Sequence, residues 1–183
     1  MSAAAGSRLA WGWHPLVDEW AARVVADAGI RPGELVLDIG AGQGALTAHL
    51  VAAGARVLAV ELHPERARLL RERFGDQVTV VRADVAGLRL PHRPFRVVAS
   101  PPYGLSSVVL RTLLAPRSQL SAADLVLQRA VVRRYATEQA PGAGRWARAF
   151  AVHAGRPLPR WAFRPPPTVD SAVLVIRRRG RGG

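Results

Sequence analysis

The stretch ELVLDIGAGQGALT, residues 34–47, predicts a buried strand, a tight glycine-rich turn and the first turn of a helix. The apolar run Glu34–Ile39 carries an acid, Asp38, next to its end. Gly40 and Gly42 permit positive φ angles and let a ligand come close to the backbone. A strand that passes through such a turn into a helix is the repeating unit of a doubly wound α/β domain.

Outward from this unit, short apolar runs alternate with helical stretches, which indicates a Rossmann-like, mostly parallel, doubly wound seven-stranded sheet with an antiparallel last strand. We expect one domain over residues 1–183, with an N-terminal arm at 1–14 and a mobile basic tail at 177–183. The further predicted strands are Arg56–Glu61, Val78–Val81, Phe95–Ala99, Asp124–Gln128 and a closing antiparallel pair, Arg145–His153 and Ala172–Ile176, joined through the Pro-rich link Arg164–Thr168. The predicted helices cover about Pro15–Ala28, Ala45–Ala53, Pro64–Phe74 and Ser106–Leu114.

The composition favours a soluble intracellular protein, and we expect a cytoplasmic monomer. Hydrophobic residues make up 49% of the chain, and no apolar run approaches the roughly 20 residues of a membrane helix. The N-terminus lacks the charged-then-apolar order of a signal peptide. The chain has no cysteine and its five histidines are scattered, so neither disulfides nor a metal site are expected.

The net charge of +13 is carried entirely by arginine, because the chain contains no lysine. A strongly basic surface attracts polyphosphate backbones, and guanidinium groups bind phosphate in a bidentate manner and stack on bases. The charge therefore predicts a nucleic-acid partner, although a merely soluble cationic protein has the same composition.

Four polar residues follow or end four predicted strands: Asp38, Glu61, Asp84 and Ser100. In open parallel sheets, ligands bind at the carboxyl ends of the strands, beside the switch in strand order. We therefore expect these residues to meet at one crevice, and this convergence is stronger evidence than any single motif.

The glycine turn favours S-adenosylmethionine over a nicotinamide dinucleotide as the ligand. Its Gly-x-Gly-x-Gly spacing differs from the G-x-G-x-x-G turn that exposes a helix N-terminus to pyrophosphate. Asp38 suits a cationic methionine group, and Glu61 suits the two ribose hydroxyls. Asp84 is placed to accept the amino group of the cofactor's adenine, beside the amide of Val85. The alternatives are an ordinary tight turn, an exposed strand-end acid at Glu61 and a helix N-cap at Asp84.

Ser100-Pro101-Pro102-Tyr103 is the most specific motif of the chain. An exocyclic amino group is a poor nucleophile, because its lone pair is delocalised into the ring. Hydrogen bonds from that group to the Ser100 oxygen and the Pro101 carbonyl would localise the lone pair for attack on a sulfonium methyl. Tyr103 would stack on the extruded base. The alternative is a rigid Pro-Pro turn followed by a core tyrosine.

The combined pattern resembles the rRNA adenine N6-methyltransferases, which include the macrolide-resistance type acting on 23S rRNA and the dimethyladenosine transferase type acting on 16S rRNA. The resemblance covers nearly the whole chain, and Gly104 and Arg134 look more like the 23S type. The matching stretches are DIGAGQGALT (38–47), VEL (60–62), RADV (82–85), SPPYG (100–104), LVLQRAVVRR (125–134) and FRPPPTVDSAVLVI (163–176).

The resemblance implies a class I methyltransferase fold, S-adenosylmethionine as the cofactor, rRNA as the substrate and, for the 23S type, a role in antibiotic resistance. The expected catalytic residues are Ser100, Pro101 and Tyr103. The expected cofactor-binding residues are Trp13, His14, Asp38, Gly40, Gly42, Glu61, Leu62, Asp84, Val85 and again Ser100. The expected RNA contacts are Arg129, Arg133, Arg134, Arg177 and Arg178, whereas four arginines on the helix Pro64–Phe74 are expected to form a solvated face.

Three features depart from the family pattern. The family usually has Asn in place of Ser100, and Ser-Pro-Pro-Tyr also resembles enzymes that methylate the N4 amino group of cytosine. The family's Gly-Gln-Asn-Phe-Leu segment appears here as residues 12–16, Gly-Trp-His-Pro-Leu, so Trp13 either covers the pocket or joins the core. Relatives continue into a small helical domain beyond the equivalent of Arg177–Gly183, so RNA specificity is expected from the catalytic domain, its arginines or a partner.

Three competing interpretations stay open at this point: a methyltransferase for the N4 group of cytosine, a non-catalytic RNA-binding factor of ribosome assembly, and a nicotinamide oxidoreductase. The first follows from Ser100, and the second follows from the altered N-terminal segment and the short C-terminus. The third leaves the Ser-Pro-Pro-Tyr motif without a purpose.

Overall fold

The computed structural model describes residues 13–180, in which seven strands form a single sheet. The strands are β1 (Leu35–Ile39), β2 (Arg56–Val60), β3 (Val78–Val81), β4 (Phe95–Ala99), β5 (Leu120–Gln128), β6 (Phe150–Leu158) and β7 (Ser171–Arg178). Their order across the sheet is β3-β2-β1-β4-β5-β7-β6. The first five strands pair in parallel, whereas β7 runs antiparallel to both β5 and β6.

Helices cover both faces of the sheet. They are α1 (Asp18–Ala28), α2 (Ala45–Ala52), α3 (Pro64–Phe74), α4 (Ser106–Leu113), α5 (Arg129–Tyr135) and α6 (Ala143–Trp146). One buried cluster joins α1, α2 and α3 to the sheet through side chains such as Val24, Leu50 and Leu70. A second cluster joins α4, α5 and α6 to the other face through Leu110, Val132 and Trp146. The layers are therefore helix, sheet and helix, as in doubly wound α/β domains.

The strand order reverses between β1 and β4, because β2 and β3 extend the sheet on one side and β4 and β5 on the other. A crevice forms at the carboxyl ends of two such neighbouring strands, and this is where doubly wound sheets bind their ligands. The mostly parallel seven-stranded sheet with its antiparallel closing strand is as the sequence predicted.

Three elements depart most from the sequence prediction, and most of the other boundaries shift by a few residues. Strand β5 starts at Leu120 rather than Asp124, because pairing with β4 and β7 stabilises a Ser-Ala-Ala stretch of weak strand propensity. Helix α5 was not predicted, since valines in its short span lower the helical signal. The stretch predicted as the strand Arg145–His153 instead begins in helix α6, and the strand starts only at Phe150.

The predicted basic tail at 177–183 also needs correction within the described residues. Arg177 and Arg178 belong to β7, and their guanidinium groups are bonded inside the protein. Arg177 pairs with the buried Asp124 at 2.9 Å, and Arg178 donates to the Leu120 carbonyl at 2.6 Å. Residues 181–183, like residues 1–12 of the expected N-terminal arm, lie outside the described residues.

Candidate active site

Two neighbouring cavities lie at the carboxyl ends of the central strands, on either side of Gly40. The larger has a volume of 530 Å³ and the smaller a volume of 40 Å³. Five of the residues predicted to bind cofactor or base line the larger cavity: Trp13, His14, Asp38, Gly40 and Ser100. The smaller is lined by Trp13, Gly40, Glu61, Leu62, Asp84, Val85 and Pro101.

The glycine turn and the Ser-Pro-Pro-Tyr turn are in direct contact. A Cβ atom at Gly40 would lie 3.0 Å from Cδ of Pro102 and 3.3 Å from Cα of Pro101. Gly40 also has a φ of +75°, which side-chain-bearing residues rarely adopt. A glycine is therefore required here both for the backbone conformation and for the close approach of the two motifs.

Asp38 is a buried carboxyl group at the floor of the larger cavity, with 1% of its surface exposed. Its Oδ2 accepts a hydrogen bond from the Thr47 hydroxyl at 2.7 Å. Burial raises the pKa of Asp38 to about 7; the Thr47 hydrogen bond lowers this pKa, and the Glu61 carboxylate raises it. A cation placed beside Asp38 would favour its charged form.

Glu61 follows β2 and is also buried, so the alternative of an exposed strand-end acid is wrong. Its two carboxylate oxygens accept the backbone N–H groups of Gly42 at 2.8 Å and His63 at 2.9 Å. These bonds fix the carboxylate against the glycine turn, facing the smaller cavity. Each oxygen has a second lone pair with which it can accept a ligand hydroxyl.

Asp84 is exposed and caps a single 3-10 turn, Val85–Gly87, by accepting the N–H of Ala86 at 3.0 Å. The capping role that the sequence left as an alternative is therefore present in the structure. Asp84 and the buried Val85 also line the smaller cavity, so capping and ligand binding are compatible.

Trp13 stands between the two cavities and lines both. Its indole lies against the glycine turn, because a Cβ atom at Gly42 would come within 2.8 Å of the indole Nε1. The guanidinium of Arg66 lies over the indole ring, 4.0 Å from the ring centroid. Trp13 thus covers the crevice rather than joining the core.

The segment around Trp13 is held in place by residues 162–165, which include the first part of the Pro-rich link. Leu16 and Phe163 form an antiparallel bridge, and the N–H of Val17 donates to the Ala162 carbonyl at 2.9 Å. Nδ1 of His14 lies 2.9 Å from the Pro165 carbonyl oxygen. These two segments, far apart in the chain, together form one wall of the larger cavity.

Ser100 and Tyr103 occupy different positions in the Ser-Pro-Pro-Tyr turn. The half-buried Ser100 lines the larger cavity, and its hydroxyl makes no hydrogen bond with residues 13–180. The Tyr103 hydroxyl lies 2.5 Å from Oγ of the buried Ser171, and its ring centroid is 5.7 Å from that of His14. Burial raises the pKa of Tyr103, and the bond to Ser171 lowers it, with burial the larger effect.

Several cavity residues were missed by sequence reasoning. Two of the four arginines expected on a solvated face, Arg66 and Arg73, line the smaller and the larger cavity respectively. The signal was available, because positions 66 and 73 share a helix face with the buried Leu70 and Phe74. Ser171, which holds Tyr103, lies in the matching stretch 163–176, but nothing in that stretch predicts a bond to Tyr103.

The predicted RNA contacts fall into two groups. Arg129, Arg133 and Arg134 lie on α5 and are exposed to solvent. Arg177 and Arg178 lie in β7, and their guanidinium groups bond to Asp124 and to backbone carbonyls. The two groups therefore differ in how freely they can meet a phosphate.

Between residues 13 and 180, no group of three or more histidine, aspartate or glutamate side chains is arranged to hold a metal ion. None of the helices described there combines the length and apolar character that a membrane crossing requires.

The sheet order, the two cavities at its switch point and the joined glycine and Ser-Pro-Pro-Tyr turns define the class of protein as a Rossmann-like methyltransferase fold. The family model for ribosomal RNA adenine dimethylase matches residues 11–181. The chain therefore belongs to the ribosomal RNA adenine dimethylase family.

Individual relatives come from both branches of this family. Ribosomal RNA small subunit methyltransferase A of Anaeromyxobacter dehalogenans is 38% identical over 92% of the chain and 66% of its own length. Mycinamicin-resistance protein MyrB of Micromonospora griseorubida is 36% identical over 96% of the chain and 57% of its own length. The crystal structure of the 23S rRNA methyltransferase ErmE superposes with a TM-score of 0.79 at 31% identity, covering 90% of this chain and 70% of that one. The chain thus spans just under two thirds, or less, of the two curated relatives.

Proposed function

We propose that this chain transfers a methyl group from S-adenosylmethionine to the N6 amino group of an adenine in rRNA. The observation that carries the proposal is the contact between the two motifs. The glycine turn, which suits the cofactor, touches the Ser-Pro-Pro-Tyr turn, which suits an amine, at Gly40. Donor and acceptor groups bound at these turns would therefore lie side by side.

The residues around the cavities fit the parts of this cofactor. Asp38 would hold the cationic methionine end, Glu61 the ribose hydroxyls, and Asp84 with the Val85 amide the adenine. When bound, S-adenosylmethionine supplies an electrophilic methyl group on a sulfonium sulfur. Trp13 would cover the bound cofactor, and its indole would exclude water from the crevice.

Ser100 and Pro101 would act on the target amine. The Ser100 hydroxyl has no partner among residues 13–180, so its oxygen is available to accept an N–H of the amine. The Pro101 carbonyl would accept the other N–H, and together the two acceptors would localise the nitrogen lone pair. Tyr103 would stack on the base, with its hydroxyl held by Ser171 at 2.5 Å.

For the substrate, we propose 23S rRNA and a role of the macrolide-resistance type. Gly104 and Arg134 favour this assignment, and MyrB, a similar protein, is named for mycinamicin resistance. Methylation of 16S rRNA is the alternative, since other relatives are named small subunit methyltransferase A. We propose that the protein works as a cytoplasmic monomer.

Ser100 favours a second candidate, methylation of the N4 amino group of cytosine. Serine offers one acceptor on a shorter side chain than the asparagine usual in the adenine-specific family. The amino group of cytosine can donate to the two acceptors in the same way as the amino group of adenine. Which base is methylated therefore depends on which ring fits the pocket.

We further propose that the exposed α5 arginines, Arg129, Arg133 and Arg134, contact the RNA backbone. Arg177 and Arg178 would contribute less, because their guanidinium groups already bond within the protein. Charge-assisted bonds to phosphate are strongest where the guanidinium fork is free.

The test of the proposed function is methyl transfer from labelled S-adenosylmethionine to protein-free 23S rRNA, protein-free 16S rRNA and assembled subunits. We expect label in 23S rRNA. Label in 16S rRNA alone would assign the protein to the 16S rRNA branch of the family. If no RNA is labelled while the cofactor still binds, the proposal fails.

A further inference from the structure

A third cavity, of 450 Å³, lies between α4, α5 and α6, apart from the two cavities of the candidate active site. Its floor is apolar and buried. Leu110 and Leu114 come from α4 and the residue after it, Tyr135 ends α5, and Trp146 ends α6. Each of these four side chains exposes less than a tenth of its surface.

The rim of this cavity carries three exposed arginines, Arg111, Arg134 and Arg145. None of the three makes an ion pair or a side-chain hydrogen bond within residues 13–180. Between residues 100 and 149 the chain has seven arginines and only two acids, Asp124 and Glu138. Asp124 is buried and already pairs with Arg177, so the rim has little counter-charge.

This combination specifies the chemistry of a ligand. Free guanidinium groups at a rim with little counter-charge attract anions and bind phosphate oxygens in a bidentate manner. A floor containing tyrosine, tryptophan and leucine suits a flat or apolar group. A nucleotide has both parts, a phosphate and a planar base.

The position of the cavity connects it to the candidate active site. One end is lined by Ser107, which follows Tyr103 by four residues at the start of α4. The other end lies past Leu113, where α4 ends, about 12 Å along the helix from its start. A strand of RNA whose target base reaches Tyr103 can therefore follow α4 to this cavity.

We propose that the cavity between α4, α5 and α6 binds one nucleotide of the RNA substrate outside the methylated one, with its phosphate on Arg111, Arg134 and Arg145. Its base or ribose packs on the floor beside Tyr135 and Trp146. The inference rests on the proposed RNA substrate and adds a second, separate point of attachment. A free mononucleotide has the same chemistry, but the open, arginine-rich rim beside α4 favours a nucleotide within a chain.

The test compares two double variants of equal charge. Arg111→Ala/Arg145→Ala removes two arginines of the rim, and Arg117→Ala/Arg148→Ala removes two exposed arginines that do not line the cavity. Binding of protein-free 23S and 16S rRNA would be measured by filter retention from low to physiological salt. The rim variant is expected to bind about tenfold more weakly and to lower the slope of log K against log salt by about 1.5. The control variant is expected to keep most of the RNA affinity and most of the salt dependence of the wild type.

Ultraviolet crosslinking supplies a second readout. Peptides that contain residues 107–116 or 134–146 should carry nucleotide adducts in the wild type and lose them in the rim variant. Adenosine monophosphate, used as the free probe, should not compete for these crosslinks at concentrations that leave RNA bound. Competition would identify a free nucleotide as the ligand and overturn the RNA assignment.

An equal loss of RNA affinity in the two double variants would show that only net charge matters, and this would overturn the proposal. Failure of the wild type to bind RNA at all would also overturn it. Because these readouts do not require methyl transfer, an inactive protein that binds RNA through the rim would contradict the proposed function alone.

Discussion

At the scale of single residues, Asp38 links the geometry of the site to a pH dependence. Its carboxyl group has a pKa of about 7, so it is protonated below this pH and charged above it. A cationic cofactor competes with this proton, so its dissociation constant should fall about tenfold from pH 5.5 to 6.5 and level off above roughly pH 7.5. Calorimetric titration over this range measures the effect.

Asp38→Asn is the matched control for this prediction, because asparagine has nearly the same size but cannot carry a negative charge. The variant should bind S-adenosylmethionine more weakly and without the pH slope below 7. A slope that persists in Asp38→Asn would mean that another group titrates and would contradict the assigned role.

Substitutions at Ser100 should change the rate of methyl transfer and the choice of base without changing cofactor binding. Ser100→Ala removes one of the two acceptors for the amine, which should lower kcat by about ten- to a hundredfold, on the basis of the usual cost of an unmade hydrogen bond. The cofactor dissociation constant should change far less than kcat. Single-turnover methyl transfer, measured beside calorimetry, provides the comparison.

Ser100→Asn is the informative second variant at this position. Asparagine restores an acceptor with a longer reach, so activity on adenine should be retained or increased. If Ser100→Ala matches the wild type in kcat, the hydroxyl does not act on the amine.

Residue-level sequence reasoning was strongest where a chemical requirement is local. The sequence predicts that Asp38, Gly40, Glu61 and Ser100 lie at the crevice, and the structure brings them to the two cavities. Arg73 is exposed, as predicted, but it also lines the larger cavity and donates to the Gln43 carbonyl, a placement that depends on the packing of α3. The roles of these four crevice residues in binding and catalysis remain predictions.

At the scale of elements, the start of β7 holds the Ser-Pro-Pro-Tyr turn through one side-chain bond. Tyr103 and Ser171 are 68 positions apart, and their hydroxyl oxygens lie 2.5 Å apart. Tyr103→Phe and Ser171→Ala should each lower kcat by about three- to tenfold, the usual net contribution of one hydrogen bond, with little effect on cofactor affinity. The double variant should be no worse than the weaker single variant, because both changes remove the same bond.

A double-mutant cycle on kcat measures this coupling. Ser121→Ala is a suitable control, because Ser121 also has a hydrogen-bonded hydroxyl but donates to the Phe95 carbonyl at the amino ends of the central strands, away from the cavities. Additive effects of the Tyr103 and Ser171 variants would contradict the supporting role of Ser171 at the start of β7.

A second prediction at this scale concerns the pairing of β5 with β7. Asp124 exposes 2% of its surface and pairs with Arg177 at 2.9 Å and with Arg96 at 3.8 Å. Asp124→Asn leaves the guanidinium of Arg177 without a charged partner, whereas Arg96 keeps its pair with Glu34 at 3.2 Å. Because the lost pair involves a buried carboxylate, the free energy of unfolding should fall by about 3 kcal/mol. Urea denaturation measures this loss.

Glu72→Gln is the matched control, since Glu72 pairs with Arg68 on the exposed face of α3. Surface pairs contribute about 0–1 kcal/mol, so this variant should be close to the wild type in stability. Equal losses in the two variants would show that the Asp124 pair does not stabilise the joint between the two strands.

The elements that the sequence predicted well are those with strong local signals. Helix α3 and strands β3 and β4 have the predicted bounds, because the helix starts at a proline and stops before Gly75, and both strands are short apolar runs. Helix α5 and the start of β5 depend on contacts with distant strands, and such contacts cannot be predicted from the local sequence. The third cavity was equally hidden, because α4, α5 and α6 meet only in the folded chain.

At the scale of the whole molecule, ligand binding should stabilise the fold in a selective way. A ligand at 100 times its dissociation constant adds about 2.7 kcal/mol to the free energy of unfolding. For a chain of this length, that corresponds to a rise in Tm of about 5–10 °C. S-adenosylmethionine should produce this rise, and a nicotinamide dinucleotide at the same concentration should not.

Differential scanning fluorimetry with both ligands measures the two shifts. Asp38→Asn should lose much of the stabilisation by S-adenosylmethionine while folding normally without it. A rise with the nicotinamide dinucleotide alone would support the oxidoreductase interpretation and contradict the assignment of the glycine turn.

The central claim is that the joined turns at Gly40 methylate an adenine amino group in rRNA. The most direct measurement is the identity of the nucleoside formed, by mass spectrometry of digested 23S and 16S rRNA after reaction with labelled S-adenosylmethionine. The account predicts N6-methylated adenosine, with most of it lost in Tyr103→Ala. N4-methylcytidine, or no methylated nucleoside in either RNA, would contradict it.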